Sequence, residues 1–348
     1  MDLYIGSYTR DDIDTPQGIT RFSFNPDTGG IEEIGVALNL TSPTWIAASA
    51  DGARLYAVAE ATGGAVVAIA RNPQDGTLAE MNRVSSVGDG PCFASLTADE
   101  RFVLVANYGS ATIAVLPVGT DGSLGEAVAT AAHAGSSVVA DRQGEAHAHQ
   151  IVQSPDGASV LVCDLGTDQV MIYPFDREIG ALGDPVPVSM TPGAGPRHLA
   201  FAPSGERVYI INELDSTVVA ATWDGATRSL VPFQTVSTLP DGVTETNYPS
   251  QILVSPDGRF VYGANRLHDT IVTYAVDAGS GELTAIGWAP AGDYPRNIAF
   301  SPDATWVVSS SQQGDSLKLL ARDAERGVLE VVGEPIPVPS PAIAVFLP

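Results

Sequence analysis

Positive charge is scarce in this chain. Its 348 residues carry 17 Lys and Arg against 41 Asp and Glu, a formal net charge of −24, and Lys318 is the only lysine. A surface of that sign repels nucleic acid and anionic lipid, so neither is expected as a partner. Long apolar runs are missing as well: nothing approaches the roughly 18 uninterrupted apolar residues of a spanning helix, and no membrane partner is expected. Cysteine is limited to Cys92 and Cys163, read as separate buried thiols rather than a disulfide. The opening Met1-Asp2-Leu3-Tyr4-Ile5-Gly6 enters an alternating strand without the basic and apolar regions of a signal peptide, which gives a cytoplasmic expectation. Nucleophile elbow, Walker loop and dinucleotide fingerprint are all absent, and no cofactor is expected.

Glycine and proline are plentiful, 35 and 25 residues, and apolar residues make up 44%, which suits many short strands joined by tight turns. Those turns recur. A Gly-x-Leu type of turn ends at Ile31, Leu78, Leu124, Leu182, Leu230, Leu283 and Leu329, with spacings of 47, 46, 58, 48, 53 and 46 residues. A second series runs in step with it: Asp51-Gly52, Asp99-Glu100, Asp156-Gly157, Ser204-Gly205, Asp257-Gly258 and Asp303-Ala304. In one unit Ser250-Gln251-Ile252-Leu253-Val254 and Arg259-Phe260-Val261-Tyr262-Gly263 flank Ser255-Pro256-Asp257-Gly258 as a hairpin. Thr270 to Tyr274 and Leu283 to Ile286 add a third and a fourth strand. Four antiparallel strands repeated radially make the blade of an all-β propeller, here a seven-bladed β-propeller occupying residues 1–348 as a single domain.

The second series has six members because the chain starts one strand late. Leu3-Tyr4-Ile5-Gly6-Ser7-Tyr8 matches a second strand, and Pro341-Ala342-Ile343-Ala344-Val345-Phe346 has the first-strand pattern. The two termini are therefore expected to share one blade and close the ring, removing open edges. If first strands line the channel, their beginnings and the ends of second strands fall at one end of it. Trp45, Phe93, His147 to His149, Arg197, His198, Asn247, Tyr248 and Arg296 stand at the beginnings. Glu60, Asn107, Asp164, Asn212, Glu213, Arg266, His268 and Gln312 stand at the ends. Four of the five histidines gather there, and this end is taken as the site.

At this point the chain resembles a known family. Gly195-Pro196-Arg197-His198 followed by Asn212-Glu213-Leu214, then Ser255-Pro256-Asp257-Gly258-Arg259 followed by Asn265-Arg266-Leu267-His268-Asp269, is similar to the lactonase family of seven-bladed propellers. That family includes propeller-type 6-phosphogluconolactonases and carboxymuconate-lactonizing enzymes. The likeness extends from Tyr4-Ile5-Gly6-Ser7-Tyr8 through Val105-Ala106-Asn107-Tyr108-Gly109 to the last strand. It implies catalytic roles for His149, Arg197, Glu213 and Arg266. Three places depart from the family's habit: Pro91-Cys92-Phe93 in place of Pro-Cys-His, Ala146-His147-Ala148-His149 in place of Pro-His-x-His, and Gln251-Ile252-Leu253 where Ile-His is common.

Opening a lactone needs an activated water, positive charge for the carbonyl oxygen and a proton for the leaving alkoxide. His149 suits the base because imidazole titrates near neutrality. Arg197 and Arg266 suit the oxyanion or a substrate phosphate or carboxylate, and Glu213 would orient an arginine or hold His149 as imidazolium. His147, His198, Asn107, Asn212, His268 and Arg296 are the expected substrate contacts. Two cation sites stay open as alternatives: a metal between His147 and His149, and Ca²⁺ among Asn107, Asp164, Asn212 and Glu213. The expected activity is hydrolysis of a sugar or sugar-phosphate lactone, with a small-molecule lactone as partner and a monomer or small homo-oligomer as assembly. A lactonizing cycloisomerase and a non-catalytic binding propeller are the alternatives.

Overall fold

Residues 1–12 and 17–348 are described by a computed structural model. Seven antiparallel sheets stand around a central channel. Numbered by their inner strands, blade 1 begins at Ile46–Ala48, blade 2 at Pro91–Leu96, blade 3 at Ala148–Gln153 and blade 4 at Pro196–Phe201. Blades 5, 6 and 7 begin at Tyr248–Val254, Pro295–Phe300 and Pro341–Leu347. Each blade has four strand positions; in blade 3 the outermost is split by Gly183-Asp184-Pro185 into Ala181–Leu182 and Val186–Ser189. A single helical turn, Ala140–Gln143, is the only helix among the described residues.

The hairpin between first and second strands shows why these sequences turn where they do. In Ser255-Pro256-Asp257-Gly258 the Asp257 carboxylate accepts the Ser255 hydroxyl at 2.5 Å and the Arg259 N–H at 3.1 Å, and Gly258 takes φ 72°. Proline presets the first corner and glycine supplies the left-handed one without a Cβ clash. Where glycine is missing, Glu100 and Ala304 adopt the same conformation at φ 57° and 54°.

Second strands such as Ser159–Asp164 are buried along their whole length. Side chains alternate across a strand, so Val160 and Val162 pack into the cluster shared with blade 2, while Leu161 and Cys163 pack into the one shared with blade 4. The core is therefore a set of layers between blades, and the apolar runs are continuous because both faces are covered.

The ring closes as the sequence implies. Asp2–Ser7 pairs antiparallel with Pro341–Leu347 in one sheet with Gly18–Phe24 and Ile31–Asn39. A buried latch ties this blade to blade 1: Arg71 donates to Asp2 at 2.6 Å and to the Pro348 carbonyl at 2.5 Å, while Arg21 Nε donates to Asp2 at 2.8 Å. Burial opposes ionisation of Asp2, but hydrogen bonds from Arg71 and Arg21 outweigh it and lower the carboxyl pKa.

Deleting Ser340–Pro348 removes the inner strand of blade 7, including the buried Ile343, Ala344 and Leu347. Each large apolar side chain accounts for about 1.5–3 kcal/mol, and the strand also carries a ladder and the latch. The loss is comparable with a whole domain's stability of about 5–15 kcal/mol. The truncated chain should show no cooperative melting transition by circular dichroism; a retained transition near that of the full chain would refute ring closure as the stabilising constraint.

Candidate active site

One irregularity, repeated around the ring, builds the site. At the start of an inner strand the pairing with the second strand slips by a residue: Ala148 pairs Asp164 and Gln150 pairs Cys163, leaving His149 as a bulge. The same slip leaves out Cys92, Arg197, Arg296 and Ala342, and lies between Pro249 and Ile252 in blade 5. A bulge frees one residue from the ladder and re-aims its side chain. His149, Arg197 and Arg296 occupy this position in three blades. At the ends of the second strands stand Glu60, Tyr108, Glu213, Arg266, Gln312 and Tyr8; of these Tyr108 meets His149, Glu213 meets Arg197 and Arg266, and Tyr8 meets Arg296.

Glu213 is the hub. Arg266 approaches its Oε2 at 2.5 Å, Arg197 Nε lies 3.0 Å from the same oxygen, and Arg142 donates to Oε1. The Arg197 Nε–H has no hydrogen-bond acceptor despite that distance, so this contact is ionic rather than directional. Burial resists ionisation of Glu213, yet Arg266, Arg197 and Arg142 together hold its pKa down to about 2. For Arg197, burial and the neighbouring Arg266 and Arg296 lower the pKa to about 9, which leaves it charged at neutral pH.

Two of the arginines are fixed by the backbone. Arg197 donates to the Ser250 carbonyl at 2.5 Å. Arg266 donates from Nε to the Tyr248 carbonyl at 2.8 Å and stacks over Tyr294 with its guanidinium 5.1 Å from the ring centre. Arg296 differs: it lies 5.0 Å over the Tyr8 ring, and no protein hydrogen bond engages it among the described residues. Burial works against its charge, but Tyr8 and Glu60 raise its pKa overall. Glu60 accepts the Tyr8 hydroxyl at 3.0 Å and the Thr44 hydroxyl.

The imidazoles sit on the other side. His149 is buried, 5.0 Å from the His198 ring and edge-on to Tyr108, with Nδ1 3.8 Å from the Cys92 sulfur and no hydrogen-bond partner on Nε2. Burial first, then Arg197, His198, Arg296 and Arg266, push its pKa well below 6.5. That direction favours the neutral imidazole over the imidazolium. His198 places Nδ1 2.6 Å from Gln251 Oε1, so that nitrogen carries the proton and Nε2 faces Arg197 at 3.4 Å. Trp45 stacks on Phe93 at 4.2 Å, and both rings meet His198, so side chains of blades 1, 2 and 4 meet across the channel.

Other expected contacts lie elsewhere. His147 precedes the strand, stacks at 4.3 Å on Tyr108 and is separated from His149 by that ring. No group of three or more His, Cys, Asp or Glu side chains is arranged for a metal among the described residues. Asn107 and Asn212 do not enter the cluster; their amides cap loops, donating to the Ser86 carbonyl at 2.9 Å and the Thr217 hydroxyl at 2.8 Å. Asp164 likewise holds His133 and the His147 N–H, so the oxygen-rich residues considered for Ca²⁺ are scattered over three blades. His268 bonds Thr270 at a blade tip, away from the other imidazoles.

Arg142 went unanticipated in the sequence. Its signal was the longest repeat interval, 58 residues between Leu124 and Leu182, which contains the segment between blades 2 and 3 that carries it. A second signal is Pro-x-y at the start of six inner strands, from Pro43-Thr44-Trp45 to Pro341-Ala342-Ile343, whose middle residue marks the bulge ring.

Comparisons with known proteins agree with the seven-bladed fold. The family described as "Lactonase, 7-bladed beta-propeller" matches residues 2–346. A Bacillus subtilis protein named 6-phosphogluconolactonase is 36% identical over 284 residues, covering 81% of this chain and 80% of its own. The crystal structure of the Pseudomonas aeruginosa periplasmic gluconolactonase superposes with a TM-score of 0.93 at 32% identity, covering 100% of this chain and 99% of that one. A Lactobacillus plantarum protein superposes with a TM-score of 0.92 at 30% identity, again over 100% and 99% of the two chains.

Replacing Glu213 by Gln leaves three guanidiniums without their carboxylate. Removing one member of a buried ionic network costs about 3–5 kcal/mol, so urea denaturation of E213Q should show a loss of that size; a change below about 1 kcal/mol would mean that solvent already compensates these charges.

Proposed function

This chain belongs to the seven-bladed β-propeller lactonase family and is a lactonase, and on that premise we propose that it hydrolyses a sugar or sugar-phosphate lactone by imidazole-assisted addition of water. The observation that carries the reading is the pairing of opposites in one bulge ring: His149, neutral with a free Nε2, and Arg296, charged with an unengaged donor fork.

In this mechanism His149 Nε2 accepts a proton as water adds to the lactone carbonyl carbon. Charge develops on the carbonyl oxygen, where a preorganised cation in a low-dielectric site lowers the barrier most. Arg296 is assigned to that oxygen because its donors are uncommitted. The tetrahedral intermediate then breaks its ring C–O bond, and the imidazolium returns the proton to the leaving alkoxide, giving a hydroxy acid. Glu213 is a poor base with a carboxyl pKa near 2; its role is to hold Arg197 and Arg266 in place. His198 has its remaining nitrogen turned to Arg197 and is assigned to orientation, not proton transfer.

The relatives' names support a lactone of the gluconate type, with or without phosphate. Four guanidiniums, from Arg142, Arg197, Arg266 and Arg296, face two carboxylates, Glu213 and Glu60, an excess of two positive charges that favours an anionic substrate.

The pH profile tests the base. A histidine with a depressed pKa is active above that pKa and loses activity as pH falls through it. The rate kcat/KM should therefore stay level through pH 6.5 and drop only well below it, and H149Q should lose about 10²- to 10⁴-fold in kcat. Assays at or below neutrality by pH-stat avoid the spontaneous opening of lactones in alkali. An H149Q enzyme with the wild-type rate and profile would remove His149 from the mechanism.

A further inference from the structure

We propose that Arg142 is a specificity-determining residue that leaves Glu213 to clamp the anionic substituent of the bound substrate; this rests on the lactonase reading above and names a residue that selects among its substrates.

Three guanidiniums share Glu213, but they are not equivalent. Arg197 and Arg266 are held by backbone carbonyls of blade 5 and have side chains only 2% and 5% exposed. The Arg142 guanidinium has no backbone carbonyl partner; its side chain is 31% exposed, reaches Glu213 with one amino group, interacts with Tyr108, and lies 5.4 Å over the Tyr248 ring. It is the member of the trio that a substrate can recruit. Its departure leaves Glu213 with two charge partners, so the carboxylate stays compensated.

The backbone beneath Arg142 is braced, so the exchange requires only side-chain rotation. Ser137 and Gln143 donate to the Asp168 carboxylate at 2.5 and 2.7 Å, Gln143 also donates to the Leu165 carbonyl at 2.9 Å, and His133 meets Asp164 at 2.6 Å. These contacts fix both ends of the segment between blades 2 and 3. A cavity of about 390 Å³ between blades 4 and 5 borders Arg142, and Asp215 and Glu245 line it. Those acids disfavour an anion in the cavity. The substrate group is therefore met on the channel side, where the cluster has its excess of positive charge. A planar donor fork that gives up a carboxylate for a phosphate or a substrate carboxylate exchanges one charge-assisted pair for another.

The test is binding of a 6-phosphorylated aldonic acid and its unphosphorylated counterpart, measured by calorimetry on the wild-type chain and on R142A and R142K. One charged hydrogen-bonding partner corresponds to about a ten- to hundredfold preference. The wild type should prefer the phosphorylated acid by about tenfold or more, R142A should reduce that ratio below about threefold, and R142K should restore part of it. A merely structural role would weaken both acids equally. A ratio unchanged in R142A, or a wild type without preference, would overturn the assignment. Failure of the wild type to open either lactone would instead overturn the hydrolase reading, and the binding ratio distinguishes the two failures.

Discussion

The second strand of each blade has no solvent face, and the rest of the architecture follows from that. Ser159–Asp164 sends alternate residues into the clusters on either side, and Phe102–Asn107 and Phe260–Arg266 are buried just as completely. A blade of this kind cannot stand alone, because each of its faces is the core of a neighbour. The array must return on itself, and the pairing of Asp2–Ser7 with Pro341–Leu347 is how it does so. Polar chemistry is then confined to strand ends and to the channel. The bulges at the beginnings of inner strands use this allowance: those at His149, Arg197 and Arg296 each take one residue out of the ladder without breaking the blade and bring it to the polar end of the channel.

Burying several cations together is the main electrostatic difficulty at that end. The pKa of Arg197, lowered to about 9 by burial and by Arg266 and Arg296, records the strain. Glu213 relieves it by serving three partners at once, which also explains why its own carboxyl cannot act as a base near neutrality. The same field keeps His149 neutral. In the proposed mechanism base and electrophile come from one arrangement: the guanidiniums that would stabilise an oxyanion also disfavour protonation of the imidazole.

Much of this was legible in the sequence. The seven turns ending at Ile31, Leu78, Leu124, Leu182, Leu230, Leu283 and Leu329 gave blade number and phase, because a turn is a local event written in its own residues. The convergence of Arg197, Glu213 and Arg266 followed from strand direction. What escaped was whatever depends on contacts between blades. Asn107 and Asn212 have the right place but turn their amides to loop caps, and polarity alone does not tell a cap from a contact. The pKa of His149 is set by burial and by arginines from blades 4, 5 and 6. Arg142 belongs to no strand, and a repeat-based reading passes over the insertion that carries it.

The acidity of the chain also acquires a physical account. Eleven aspartates, among them Asp51, Asp99, Asp156, Asp257 and Asp303 in one turn series and Asp75, Asp121, Asp176, Asp224, Asp277 and Asp323 in the other, accept a backbone N–H two residues ahead. They are acidic because that turn uses a short side-chain acceptor. Strand direction places both turn series at the end of the propeller opposite the arginine cluster. Inner strands of about six residues separate the ends by roughly 20 Å, more than twice the Debye length of about 8 Å at physiological ionic strength. Mobile ions therefore screen the turn aspartates from a substrate at the channel mouth, whereas the buried guanidiniums act at contact distance with little water between. A chain of net charge −24 can in this way present a locally positive site to an anion.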